Sequence, residues 1–150
     1  MDKNEVRQLI KAYRQKLTDE DVKIQSRLIL DRLKKSDIYK TSGNVFLYMS
    51  YNREVDTYML LSQCLTDNKK VYAPKVLSKT DMEFYRIQDE HDLGIGYGGG
   101  FYDRYLSTDN TFIKAALAFD FQLLEAIPYE KHDLKPDYII TQTQFIRRDN

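Results

Sequence analysis

The sequence predicts a layered α/β domain, and three observations predict it. Amphipathic helix patterns alternate with short apolar runs, the run Val45-Phe46-Leu47-Tyr48-Met49 is almost unbroken, and 150 residues is a one-domain length. An unbroken apolar run suits a strand buried on both faces, as in a parallel sheet. No repeat, low-complexity segment or internal linker divides residues 1–150, so a single domain is expected.

Residues 2–17 put Val6, Leu9, Ile10, Tyr13 and Leu17 on one helical face, with Asp2 or Asn4 as candidate cap. The other face carries a basic stripe, Lys3, Arg7, Lys11 and Arg14, whose ordinary meaning is a solvated helix face. Thr18 followed by Asp19, Glu20 and Asp21 starts a second helix, with acids placed to suit its dipole. It should run to about Ser36 and bury Val22, Ile24, Leu28, Ile29 and Leu33. Ser42-Gly43-Asn44 is a turn into the strand 45–49. Residues 50–56 form the polar loop at its C-terminal end, and Thr57 is the expected cap of a third helix through Leu65. Ligands of open α/β sheets lie at such strand ends, so Glu54 stands where a ligand-facing carboxylate would stand, although a surface acid is the commoner meaning.

Residues 70–76, with Pro74 near the end, and the alternating stretch 82–87 read as further strands. A polar link, 88–93, leads to a glycine-rich stretch. Residues 113–119 are another buried strand, followed by a loop holding Pro128, Glu130, His132, Asp133 and Pro136. Residues 137–141 are a last short strand, and the polar end 142–150 is expected to fray. His132 and Asp133 are open to catalytic or metal-binding readings. Neighbouring side chains in an extended segment point apart, however, so a merely polar loop is expected there. His91 stands alone.

Lys+Arg and Asp+Glu are both 23, which leaves no net field for nucleic acid or an anionic membrane. A nucleic-acid binder built on the basic stripe and the 12 tyrosines is disfavoured on the same ground. No run is long and apolar enough to span a bilayer, and no signal segment opens the chain, so a soluble cytoplasmic protein is expected. The single cysteine, Cys64, lies in an apolar helix pattern and reads as core, not nucleophile.

Of the 6 glycines, five fall within 94–100: Gly94, Gly96, Gly98, Gly99 and Gly100. Phe101, Tyr102, Tyr105 and Leu106 follow at helix-like spacing, around Asp103 and Arg104. A glycine loop entering a helix start gathers outward-pointing amides beside a positive dipole end, which is an arrangement that binds phosphate. A flexible linker is the alternative. The stretch is not the dinucleotide fingerprint, since no acidic residue stands at the right distance on a following strand, and not a Walker loop, since no Gly-Lys-Ser/Thr follows.

The segment Gly96-Tyr-Gly-Gly-Gly-Phe-Tyr-Asp-Arg-Tyr-Leu106 closely resembles the signature of 5-formyltetrahydrofolate cyclo-ligases, or 5,10-methenyltetrahydrofolate synthetases. Other segments agree in order: Lys3-x-x-x-Arg7, Tyr48-Met49-Ser50 leading to Glu54-Val-Asp-Thr57, Val71-Tyr-Ala-Pro74-Lys, and Met82-Glu-Phe-Tyr-Arg86. Later come Ala118-Phe119-Asp-Phe-Gln122, Ile127-Pro128 with His132-Asp133, and Ile139-Ile-Thr141. The resemblance covers nearly the whole chain. It implies a three-layer α/β/α fold with a mostly parallel sheet, and ATP- and magnesium-dependent ring closure of 5-formyltetrahydrofolate to 5,10-methenyltetrahydrofolate.

By that resemblance ATP would be held by Lys3, Asn4, Glu5, Val6 and Arg7, and by Gly94, Ile95, Gly96, Tyr97, Gly98, Gly99, Gly100, Phe101 and Tyr102. Met49, Glu54, Tyr97, Gly98, Gly99, Gly100 and Phe101 would contact the folate. Asp103 and Asp133 would bind Mg2+, and Lys3, Arg7 and the triple glycine would stabilise phosphoryl charge. A monomer acting on small molecules is implied. Two departures stand out. Gly94-Ile95-Gly96 replaces the family's Arg-Leu-Gly, removing a cation. The family also has a few dozen more residues, including a buried strand, where here only six residues, 88–93, separate Ile87 from Gly94. The shortening implies impaired activity, or a non-catalytic remnant that still binds nucleotide or folate.

Overall fold

Each helix starts where a short polar side chain takes over its free amides. Asp2 caps α1 (Lys3–Gln15): its carboxylate accepts from the Glu5 amide at 2.8 Å, and Glu5 accepts from the Asp2 amide at 2.8 Å. Thr18 and Asp21 form the same reciprocal box at the head of α2 (Asp19–Lys34), and the bonds from Thr18 hold the Asp21 carboxyl below its usual range. Ser36 caps α3 (Asp37–Thr41), a single short turn that leaves no periodicity to read in the sequence. The cap of α4 (Thr57–Thr66) is Asp56 instead of Thr57; its carboxylate accepts from the Tyr58 amide at 2.9 Å. Thr57 is thereby free for a different bond.

The structure, a computed structural model, describes residues 1–89, 92 and 112–149. The α/β class of the sequence is the observed one, with the strands of the described residues in two three-stranded sheets. In the first, β1 (Asn44–Phe46) runs parallel to β2 (Lys70–Val76), which pairs antiparallel with β3 (Met82–Ile87). In the second, β4 (Ala115–Leu117) runs parallel to β5 (Tyr138–Ile140), which pairs antiparallel with β6 (Phe145–Arg147). β6 corrects the expected frayed end. Its polar composition hides one inward residue, Ile146, set opposite Ile139, and the Arg148–Asp137 ion pair at 3.0 Å fastens the strand beyond it.

One buried cluster runs through both sheets: Ile29 and Leu33 of α2, Leu61 and Cys64 of α4, Val71 of β2, Ile87 of β3 and Ile140 of β5. Cys64 is core, as read from sequence, and burial pushes its thiol up to about 11. The buried stripe of α2 differs from the expected one. Ile24 is 53% and Leu28 49% exposed, while Ser26 and Leu30 are buried. Ser26 is drawn inward because its hydroxyl accepts from the Asp56 amide at 2.9 Å, satisfying a donor at the head of α4. The helix therefore turns its 26-29-30-33 side to the core.

Candidate functional site

Residues 47–56 are a loop fixed at many points, one of them the first residue of α4. Ser50 and Thr57 bond reciprocally, with the Ser50 amide donating to Thr57 Oγ1 at 2.9 Å and the Thr57 amide to Ser50 Oγ at 3.1 Å. Tyr48 donates its hydroxyl to the Val55 carbonyl at 3.2 Å. Between these anchors Asn52 and Arg53 both take positive φ, 52° and 59°, which side chains other than glycine rarely adopt. The Arg53 guanidinium donates to the Gln15 carbonyl at 3.3 Å, satisfying an orphan acceptor at the end of α1 and tying the loop to it. The result is a sharp reversal that sets Glu54 at the end of the first sheet.

A cavity of about 840 Å³ opens there, a size suited to a small-molecule ligand. It is lined by Asn44–Met49 with Tyr51 and Glu54, by Phe112–Leu117, and by Arg14 of α1. β1 and β4 are the outer strands of their sheets among the described residues, so two sheet edges line the cavity. Burial pushes the Glu54 carboxyl above its usual range, and the Arg14 charge is the chief influence opposing that rise.

The second cluster lies at the other end of α1. The loop 130–133 is a tight turn: the Asp133 amide donates to the Glu130 carbonyl at 3.0 Å, and the Glu130 amide to Asp133 Oδ2 at 2.7 Å. The turn corrects the expectation that His132 and Asp133 point apart. His132 Nε2 stands 3.1 Å from Glu130 and 4.0 Å from Asp133. Lys3 Nζ joins both carboxylates, at 2.6 Å to Asp133 and 3.2 Å to Glu130. Its hydrogen bond is the largest influence holding the Asp133 carboxyl below its usual range, and Asp133 in return raises Lys3.

One ligand atom from each of Glu130, His132 and Asp133 falls within 4.8 Å of the others. Two carboxylates suit a hard divalent cation that takes its remaining ligands from phosphate and water, so Glu130 and Asp133 fit Mg2+, whereas an imidazole is not a donor that ion prefers.

Of the residues singled out in the sequence, Lys3 and Asp133 meet directly, and Met49 and Glu54 share the cavity. Asn4 accepts from Arg7 at 3.4 Å. The Glu5 carboxylate is used in the helix cap and Val6 is half-buried, so these two face a ligand only through backbone. Gly94, Ile95, Gly96, Tyr97, Gly98, Gly99, Gly100, Phe101, Tyr102 and Asp103, with His91, lie outside the described residues. Sequence reading missed Arg14 and Glu130. Arg14 was legible only as the end of a basic stripe, eleven residues past Lys3 and therefore on nearly the same helical face.

The model of the 5-formyltetrahydrofolate cyclo-ligase family matches residues 1–96 and 89–142. A probable 5-formyltetrahydrofolate cyclo-ligase of Caenorhabditis elegans is 22% identical over 194 positions, covering 96% of this chain and 94% of that protein. One of Schizosaccharomyces pombe is 24% identical over 198 positions, covering 97% of each. Both alignments are longer than the 150 residues present, and the two matched segments meet at 89–96, where the sequence is shortened. Among solved structures, the 5,10-methenyltetrahydrofolate synthetase of Aquifex aeolicus superposes with a TM-score of 0.84 at 25% identity, covering 100% of this chain and 95% of that one. The synthetase of Mycoplasma pneumoniae shares the fold, with a TM-score of 0.76 at 22% identity and coverage of 95% and 99%.

Proposed function

The chain belongs to the 5-formyltetrahydrofolate cyclo-ligase family, and from that premise we propose that it closes 5-formyltetrahydrofolate to 5,10-methenyltetrahydrofolate, converting ATP to ADP and phosphate. The chemistry needs ATP because a formamide oxygen is a poor leaving group. Transfer of the γ-phosphoryl group to that oxygen makes it one. The second folate nitrogen then attacks the activated carbon and gives up its proton to solvent, the C–O bond breaks, and phosphate departs. Such a transfer depends on positioning and on stabilising spread negative charge, with no covalent enzyme intermediate.

The residues divide that work along α1. At its start, Lys3 and Arg7 supply cations for the phosphates, the Lys3 and Asn4 amides are not used by the cap, and Glu5 and Val6 contribute backbone. Residues 94–102 complete the nucleotide site in this reading. Asp133, with Glu130 beside it and Asp103, would hold Mg2+, which when bound neutralises phosphate charge. At the far end of α1, Met49 packs on the pterin and Glu54 accepts from its N–H groups, joined by residues 97–101. The protein acts as one monomeric, cytoplasmic domain over 1–150, with no nucleic-acid or membrane partner. Among the described residues, no helix is long and apolar enough to cross a membrane.

The observation that supports this reading best is the shared cavity of Met49 and Glu54, with α1 running from it to the Lys3–Asp133 contact. Protein, Mg2+, ATP and 5-formyltetrahydrofolate should give rising methenyl-folate absorbance, more slowly than a full-length relative. No rise beside that positive control refutes the activity. The shortening at 89–96 favours a second reading, a remnant that binds nucleotide or folate without turnover. Calorimetric ATP binding with no absorbance change is its signature.

A further inference from the structure

We propose that Arg14 is a specificity-determining residue of the cavity, donating from its guanidinium to the 4-oxo group of the pterin ring while Glu54 accepts from the neighbouring N–H edge. This rests on the folate reading above. The pyrimidinone half of a pterin presents N–H donors beside a carbonyl acceptor. A site that reads it needs one acceptor and one donor side by side.

Glu54 and Arg14 line the same cavity, and they bear opposite charges. Among the described residues they do not close into a salt bridge with each other, and the Glu54 carboxyl takes a backbone hydrogen bond from Tyr51 on its own loop, not from Arg14. Arg14 Nε is buried without a hydrogen-bond partner, an uncommon and costly state for a charged donor, while the same side chain lines the cavity, where its terminal nitrogens can donate to a ligand. Among the described residues, two other cations near it are engaged. Arg53 donates to the Gln15 carbonyl at 3.3 Å, and the Lys114 ammonium to the Phe112 carbonyl at 3.1 Å. Helix geometry adds the placement: eleven residues separate Lys3 from Arg14, about 16 Å along the axis and within about 20° of the same face. One helix thus offers a cation to each end of the site.

The test is steady-state kinetics of Arg14→Met and Arg14→Lys with 5-formyltetrahydrofolate and with 5-formyltetrahydropteroate, which lacks the glutamate tail. Arg14→Met should raise KM about tenfold or more for both substrates, the loss typical of a hydrogen bond to a charged group. KM for ATP should not move, Tm should hold or rise because the unpartnered buried donor is gone, and Arg14→Lys should recover part of the loss in KM. An unchanged folate KM overturns the proposal, as does a rise confined to the tailed substrate, which would put Arg14 on the glutamate. A rise shared by ATP together with a fall in Tm overturns it in favour of a purely structural role. If the wild type does not turn over, calorimetric Kd values for the two folates replace KM. Wild type that binds neither folate refutes the functional reading and this inference together; wild type that binds, with Arg14→Met unchanged, refutes the inference alone.

Discussion

Thr57→Val tests whether the loop that presents Glu54 is held by the Ser50–Thr57 bond pair. Thr57 is fully buried, and valine matches its shape while lacking the hydroxyl. The substitution removes the acceptor of the Ser50 amide, a bond of 2.9 Å in a half-buried segment. An amide left without a partner there costs about 1–3 kcal/mol. Thr57→Ser is the control: it keeps the hydroxyl and loses one methyl group, about 0.8 kcal/mol by transfer. Urea denaturation at fixed m-value should therefore rank wild type, then Thr57→Ser, then Thr57→Val, with a fall in Tm of about 2–4 °C per kcal/mol for a chain this long. Calorimetry should show weaker folate binding in Thr57→Val alone, because only that change releases the turn carrying Asn52, Arg53 and Glu54. ATP binding should be unaffected. Equal stability of Thr57→Val and wild type, or lost stability with unchanged folate affinity, would refute the reasoning.

Burial raises the Glu54 carboxyl, so folding favours its protonated form; its favourable contribution is present in acid and lost as pH rises through the raised value. Glu54→Gln should therefore stabilise the protein at pH 7, lose that advantage in acid, and weaken folate binding, as read by urea denaturation at two pH values and by calorimetry. Asp133 is the opposite case, its carboxyl lowered chiefly by Lys3, so this contribution is present above its ordinary value and fades as pH falls. Lys3→Met should return Asp133 toward the ordinary carboxylate range in an NMR titration and weaken ATP binding while sparing folate. Ile146→Ala should cost about 1–2 kcal/mol, part of the loss at a fully buried isoleucine, because Ile146 packs opposite Ile139 and is only half-buried. A frayed end would show no change in Tm.

Much of what is local or periodic was legible in the residues alone. Helix starts at Asp2 and Thr18 follow from side chains that bond amides three residues on, and β2 and β3 follow from apolar alternation. Family membership was legible too, because its motifs keep their order along the chain. Tertiary structure decided what depends on partners distant in sequence. Ser26 is buried because an amide thirty residues later needs its hydroxyl, and that rotated the face of α2 away from Ile24 and Leu28. β6 exists because β5 offers it an edge. Asp133 meets Lys3 across 130 residues, and Arg14 meets the cavity of Glu54 from the far end of the same helix. A stripe of charges in sequence says only that one face of a helix is basic; the elements folded against that face determine what each charge can bind.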